Sequence, residues 1–101
     1  MIKHIVFFRL KEEAEGKTKA ENAQIIKAGL MSLKDKVPCL RSIEVGINVP
    51  YAPQTDYDIA LTCTFDTWAD LNTYATHPEH LQVAAYIGKC KTERAACDYV
   101  S

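Results

Sequence analysis

An excess of charge of either sign is missing from this chain. It carries 12 basic and 13 acidic side chains for a net charge of −1. Neither sign gathers into a run, so there is no electrostatic footprint for nucleic acid or for an anionic membrane. Long apolar runs are missing too, and none approaches the ~20 residues that cross a bilayer. The opening Met1-Ile2-Lys3-His4-Ile5-Val6 lacks the apolar core of a signal peptide and reads as a strand. No two of the four cysteines, Cys39, Cys63, Cys90 and Cys97, stand at C-x-x-C spacing. With no export signal either, the expectation is four reduced thiols in a cytoplasmic protein, with Cys63 and Cys97 as small core residues. Histidine is scarce. There are three, His4, His77 and His80, and two of them fall inside the stretch Tyr74-Ala75-Thr76-His77-Pro78-Glu79-His80. Histidine titrates nearest neutral pH and is the usual proton-transfer group. That stretch is therefore the first candidate for chemistry.

What is present is enough apolar material for one folded unit. Hydrophobic residues make up 48% of 101 residues, which fits a single domain over 1–101. A core of this size is marginal alone, so a further buried interface would help it. Ile2 to Leu10 is β-branched and aromatic at both parities, as in a strand covered on both faces. Lys11 to Lys19 is polar and contains Gly16, so it reads as a loop or a ragged helix start. Ala23, Ile26, Leu30, Leu33 and Val37 recur at helical spacing, and Pro38 ends that helix.

Arg41 to Val49 and Tyr57 to Phe65 each alternate as half-buried strands. Thr67 with Asp70 opens a second helix, whose expected buried stripe is Trp68, Leu71 and Ala75. His77-Pro78 interrupts it. The resumed helix carries Leu81, Ala84, Ala85 and Ile87 and is expected to stop at Gly88. Lys91 to Val100 is the last strand. Asp56 and Asp58 are expected at an edge or in solvent, and Tyr51 and Trp68 in packing.

The order β-α-β-β-α-β predicts an α+β, ferredoxin-like fold with two helices on one face of a four-stranded antiparallel sheet. The other face is left bare, and is expected to hold Ile5, Phe7, Ala60, Ala96 and Val100. A second copy of the chain is the natural cover, so a homodimer is expected.

Three stretches carry a resemblance to a known family. They are Met1 to Leu10, the strand Tyr57-Asp58-Ile59-Ala60-Leu61, and Leu71 to His80 with its Y-x-x-H-P-x-H pattern. Together they resemble the stress-responsive α/β-barrel (Dabb) domain over nearly the whole chain. The resemblance implies a dimeric α/β barrel made from two ferredoxin-like sheets. Most members have no assigned reaction. In the olivetolic acid cyclase branch, which works without a cofactor, residues matching Tyr74 and His80 form the catalytic pair and one matching His4 lines the pocket. This chain has no further histidine on its third strand, where that branch has one, so the substrate does not carry over.

Two readings of the cluster follow. In one, His80 is a general base beside a carbonyl and Tyr74 steadies the enolate oxygen, with His4 and His77 lining the pocket. In the other, His77 caps the resumed helix and His80 is a satisfied imidazole, and this reading is placed first. Three histidines without an acidic cluster make a poor metal site, so no metal and no cofactor are expected. The function expected is a small dimeric protein holding a small apolar or carbonyl ligand between helices and sheet. The alternative is a cofactor-free lyase, cyclase or monooxygenase using Tyr74 and His80.

Overall fold

The computed structural model describes residues 1–101. Its elements are β1 (Ile2–Leu10), β2 (Glu13–Ala14), β3 (Lys17–Thr18), α1 (Lys19–Lys36), β4 (Ser42–Ile47), β5 (Ile59–Phe65), α2 (Trp68–Thr76), α3 (Pro78–Cys90) and β6 (Lys91–Val100). Four strands form one antiparallel sheet in the order β4-β5-β1-β6. This is the expected ferredoxin-like arrangement, with β1 in the interior of the sheet.

Cross-strand partners share a face, so the register assigns every side chain. Val6 stands opposite Leu61, and Leu61 opposite Val45. All three are buried against the helices. The α1 stripe of Ala23, Ile26, Leu30 and Leu33, followed by Val37, is buried in full. It enters the same core as Phe8, Phe65, Tyr74 and Ile87. α1 starts on a complete capping box: Thr18 Oγ1 accepts from the Glu21 N–H at 3.2 Å, and the Thr18 N–H donates to the Glu21 carboxylate at 3.0 Å.

The structure corrects the sequence reading at several points. The polar stretch after β1 is a small hairpin, β2 paired with β3. Its two-residue turn has Glu15 at φ 52° and Gly16 at φ 71°. Two successive positive φ values are what a tight hairpin of this twist requires, and glycine meets one of them without strain. Gly88 does not stop α3, which runs on to Cys90. Space around Gly88 is open, so it packs nothing and turns nothing. In α2 the buried residues are Leu71 and Tyr74, while Trp68, Leu81 and Tyr51 stand exposed.

Asp58 is buried rather than at a solvated edge. Its carboxylate accepts from the Leu10 N–H at 2.7 Å and lies 3.6 Å from the Lys19 ammonium. It joins the ends of β1 and β5 to the start of α1.

The helix-free face also differs in part. Ile5 stands opposite Cys97 and Phe7 opposite Ala95. Ala95, Cys97 and Tyr99 therefore share the bare face with Ile5, Phe7 and Ala60. Ala96 and Val100 pair with Val6 and Ile2, and so belong to the helix side. Cys97 is exposed on the bare face and is not a core residue, whereas Cys63 is fully buried.

Candidate functional site

β1 brings His4 to the helix side of the sheet, two residues before Val6. The register places it between Cys63 on β5 and Asp98 on β6. Its Nδ1 lies 2.5 Å from Asp98 Oδ1. A carboxylate in this position accepts the Nδ1–H and fixes the ring.

The break between α2 and α3 positions the other histidines. Pro78 has no N–H to offer and sits in the first turn of α3. His77 caps that turn, its Nδ1 accepting from the Glu79 N–H at 3.1 Å. His80 folds back, and its Nδ1 lies 3.1 Å from the Ala75 carbonyl oxygen. A carbonyl can only accept, so Nδ1 of His80 carries the proton and Nε2 is the basic atom. Burial lowers the His80 pKa below the ordinary 6.5, opposed by the hydrogen bond to Ala75 and reinforced by the nearby positive charge of Arg94. The ring is therefore neutral near pH 7 and able to accept a proton or a hydrogen bond.

The rings of His80 and Tyr74 are 4.5 Å apart, and those of His4 and Tyr74 are 6.4 Å apart. The three aromatic groups thus meet around one point of the core. Beside them a cavity of about 200 Å³ opens between α1, α3 and the sheet. His4, His80, Lys91 and Arg94 line it together with Val6, Phe8, Leu30, Leu61, Ala84 and Ile87.

Neither Tyr74 nor His77 lines this cavity. Tyr74 is 1% exposed and packs on Phe65 with ring centres 5.2 Å apart. Its hydroxyl oxygen accepts from the Cys63 thiol at 3.9 Å. Burial raises the pKa of both groups, that of the Cys63 thiol to about 12 and that of the phenol higher still. A phenol so placed anchors the core and shelters one side of His80. It does not reach the cavity, which weakens the reading of Tyr74 and His80 as a pair acting on one substrate. His77 is occupied as a cap.

Three groups at the site have no counterpart among the residues singled out from sequence: Asp98, Lys91 and Arg94. They come from β6, and only the pairing of β6 with β1 carries them to His4. The signal available was the parity of the last strand, in which Arg94 and Asp98 fall on one face.

A larger open groove of about 590 Å³ lies elsewhere, lined by Phe7, Arg9, Tyr57 and Ala60 among others. It is part of the helix-free face, where the Arg9 guanidinium stacks 4.5 Å above the Tyr57 ring. It holds none of the histidines. No three His, Cys, Asp or Glu side chains gather as metal ligands.

The stress responsive A/B barrel domain (Dabb) family matches residues 2–101. A structure from Bacteroides fragilis, described as a dimeric protein of unknown function with a ferredoxin-like fold, is 33% identical. It aligns over 97% of this chain and 93% of its own, with a TM-score of 0.77. A dimeric ferredoxin-like protein of unknown function from Thermobifida fusca is 24% identical over 99% of this chain and 90% of its own, with a TM-score of 0.82. The hydroxynitrile lyase of Passiflora edulis is 20% identical over 97% and 90%, with a TM-score of 0.76, a likeness of fold alone. No curated protein matches the chain by sequence. With its strand order, its Tyr74-to-His80 segment and a family match spanning residues 2–101, the chain belongs to the stress responsive A/B barrel domain family.

Proposed function

We propose that the protein is a cytoplasmic homodimer that holds a small apolar or carbonyl-bearing molecule between its helices and its sheet, without a cofactor. One observation carries the ligand-holding reading. The cavity beside His4 and His80 has apolar walls and a few converging polar groups, the composition of a small-molecule site. Its volume of about 200 Å³ suits a compact ligand. His80 Nε2 would accept a hydrogen bond from the ligand or take a proton from it, and His4, steadied by Asp98, would serve a second polar atom. The dimer is supported by the apolar residues of the helix-free face and by the dimeric descriptions of the similar Bacteroides and Thermobifida proteins. The cytoplasmic setting is supported by four unpaired thiols and by the absence of a helix long and apolar enough to cross a membrane.

The cofactor-free lyase, cyclase or monooxygenase reading is not favoured. It needs the Tyr74 hydroxyl at the ligand, and that hydroxyl is turned to Cys63.

The test is a ligand-observed NMR screen of small carbonyl compounds against the wild type and Ala84→Phe, whose larger side chain fills the cavity. Compounds that bind the wild type and lose binding in the variant are expected. Equal binding to both, or none to either, would overturn the reading.

A further inference from the structure

The polar lining of the cavity is one-sided. All four polar side chains in it, His4, His80, Lys91 and Arg94, are nitrogen groups. No carboxylate lines it. The nearest acid identified at the site, Asp98, is bound to His4 Nδ1 at 2.5 Å and is answered there.

The two cations are not answered. Lys91 and Arg94 take part in none of the seven ion pairs of the chain. The carbonyls at the end of α3, which would otherwise draw Lys91, are satisfied elsewhere. Cys90 O accepts from the Lys11 N–H at 2.8 Å, and Lys89 O from the Lys11 ammonium at 3.1 Å. A permanently charged guanidinium and an ammonium beside an apolar hollow form an attractive field for an anion. The planar guanidinium matches a carboxylate in two parallel hydrogen bonds.

The rest of the lining is apolar: Val6, Phe8 and Leu61 from the sheet, Leu30 from α1, Ala84 and Ile87 from α3. A site of this kind selects a charged end and an apolar body in one molecule. At ~20–30 Å³ for each non-hydrogen atom, the cavity holds roughly seven to ten of them.

We propose that the cavity takes a small carboxylate with an apolar body, its charged end at Arg94 and Lys91 and its body against Phe8, Leu61 and Ile87. This rests on the ligand-holding reading above and narrows it to one chemical class.

Benzoate and hexanoate, set against their neutral isosteres benzamide and hexanamide, test it by amide-resolved NMR titration. The expected result is that the carboxylates shift the resonances of Ala84 and Ile87 and bind at least ~10-fold tighter than the amides. Arg94→Gln and Lys91→Gln should each weaken the carboxylates several-fold, and by a larger factor than they weaken the amides. Arg94 is exposed and Lys91 half-buried, so the folded spectrum should survive both changes. If amides and carboxylates bind alike at these resonances, or if neither variant weakens the carboxylates, the anion proposal fails while the cavity remains a ligand site. If no probe moves Ala84 or Ile87, both readings fall together.

Discussion

At the scale of single residues, two side chains of one motif do different work because of what each ring meets. His80 is folded with its pKa below the ordinary value of 6.5, mainly through burial. In that case the unfolded chain binds more protons than the folded one between the two pKa values. Stability therefore rises with pH through that window and is lost as pH falls below about 6.5. His80→Asn, whose amide N–H can still reach the Ala75 carbonyl, should lose less stability between pH 7 and pH 5 than the wild type in urea unfolding. Parallel curves for the two proteins would show that the imidazole is not sheltered. Tyr74→Phe probes the other side chain. The hydroxyl has only a thiol partner, at 3.9 Å, so its removal should change stability by no more than about 1 kcal/mol. Ligand binding should be unchanged, since the hydroxyl does not line the cavity. A large loss of binding in Tyr74→Phe would return the tyrosine to the site. The meeting of His4, Tyr74 and His80 was legible in the residues, because the parity of β1 and the Pro78 break both point inward. The partners Asp98, Lys91 and Arg94 were not, because their place depends on the register of two strands at opposite ends of the chain.

At the scale of elements, periodicity proved the most readable signal and local breakers the least. The stripe from Ala23 to Val37 is buried residue for residue, and the alternation of β4 and β5 matches their pairing. The hairpin of β2 and β3 escaped because its strands are two residues long, too short for any period to show. A stop at Gly88 rests on residue type alone. The helix continues past it because nothing there asks for a positive φ and Cys90 beyond it is buried. Gly88→Ala should therefore stabilise the protein by about 0.5–1 kcal/mol, since the added methyl meets open space and the helix loses a flexible residue. Thermal unfolding should show a rise of about 2–8 °C. A fall would mean that Gly88 has a backbone role in solution. In the other direction, Thr18→Ala removes one arm of the capping box at the start of α1 and should cost about 1 kcal/mol in the same measurement.

At the scale of the whole molecule, the sheet has one dressed face and one undressed face. Phe7 stands 39% exposed and Tyr99 42% exposed on the side without helices. Phe7→Glu should leave the helices and their core intact and yield a monomer by analytical ultracentrifugation at micromolar concentration, where the wild type should sediment as a dimer. A wild-type monomer would remove the dimer from the account. Cys97 reports on the same surface. It should resist alkylation in the dimer and react readily in Phe7→Glu, while Cys63, buried with its thiol pKa at about 12, should resist in both. β1 links these two halves of the molecule. Its odd residues Ile5 and Phe7 face the would-be partner, its even residues His4, Val6 and Phe8 face the cavity, and a single backbone separates them. A shift of this backbone moves residues of both faces at once. Occupancy of the cavity and pairing of subunits would then be two readings of one mechanical element. Thermodynamic linkage makes such an exchange symmetric: whatever factor the ligand adds to subunit affinity, dilution of the protein must take from the ligand.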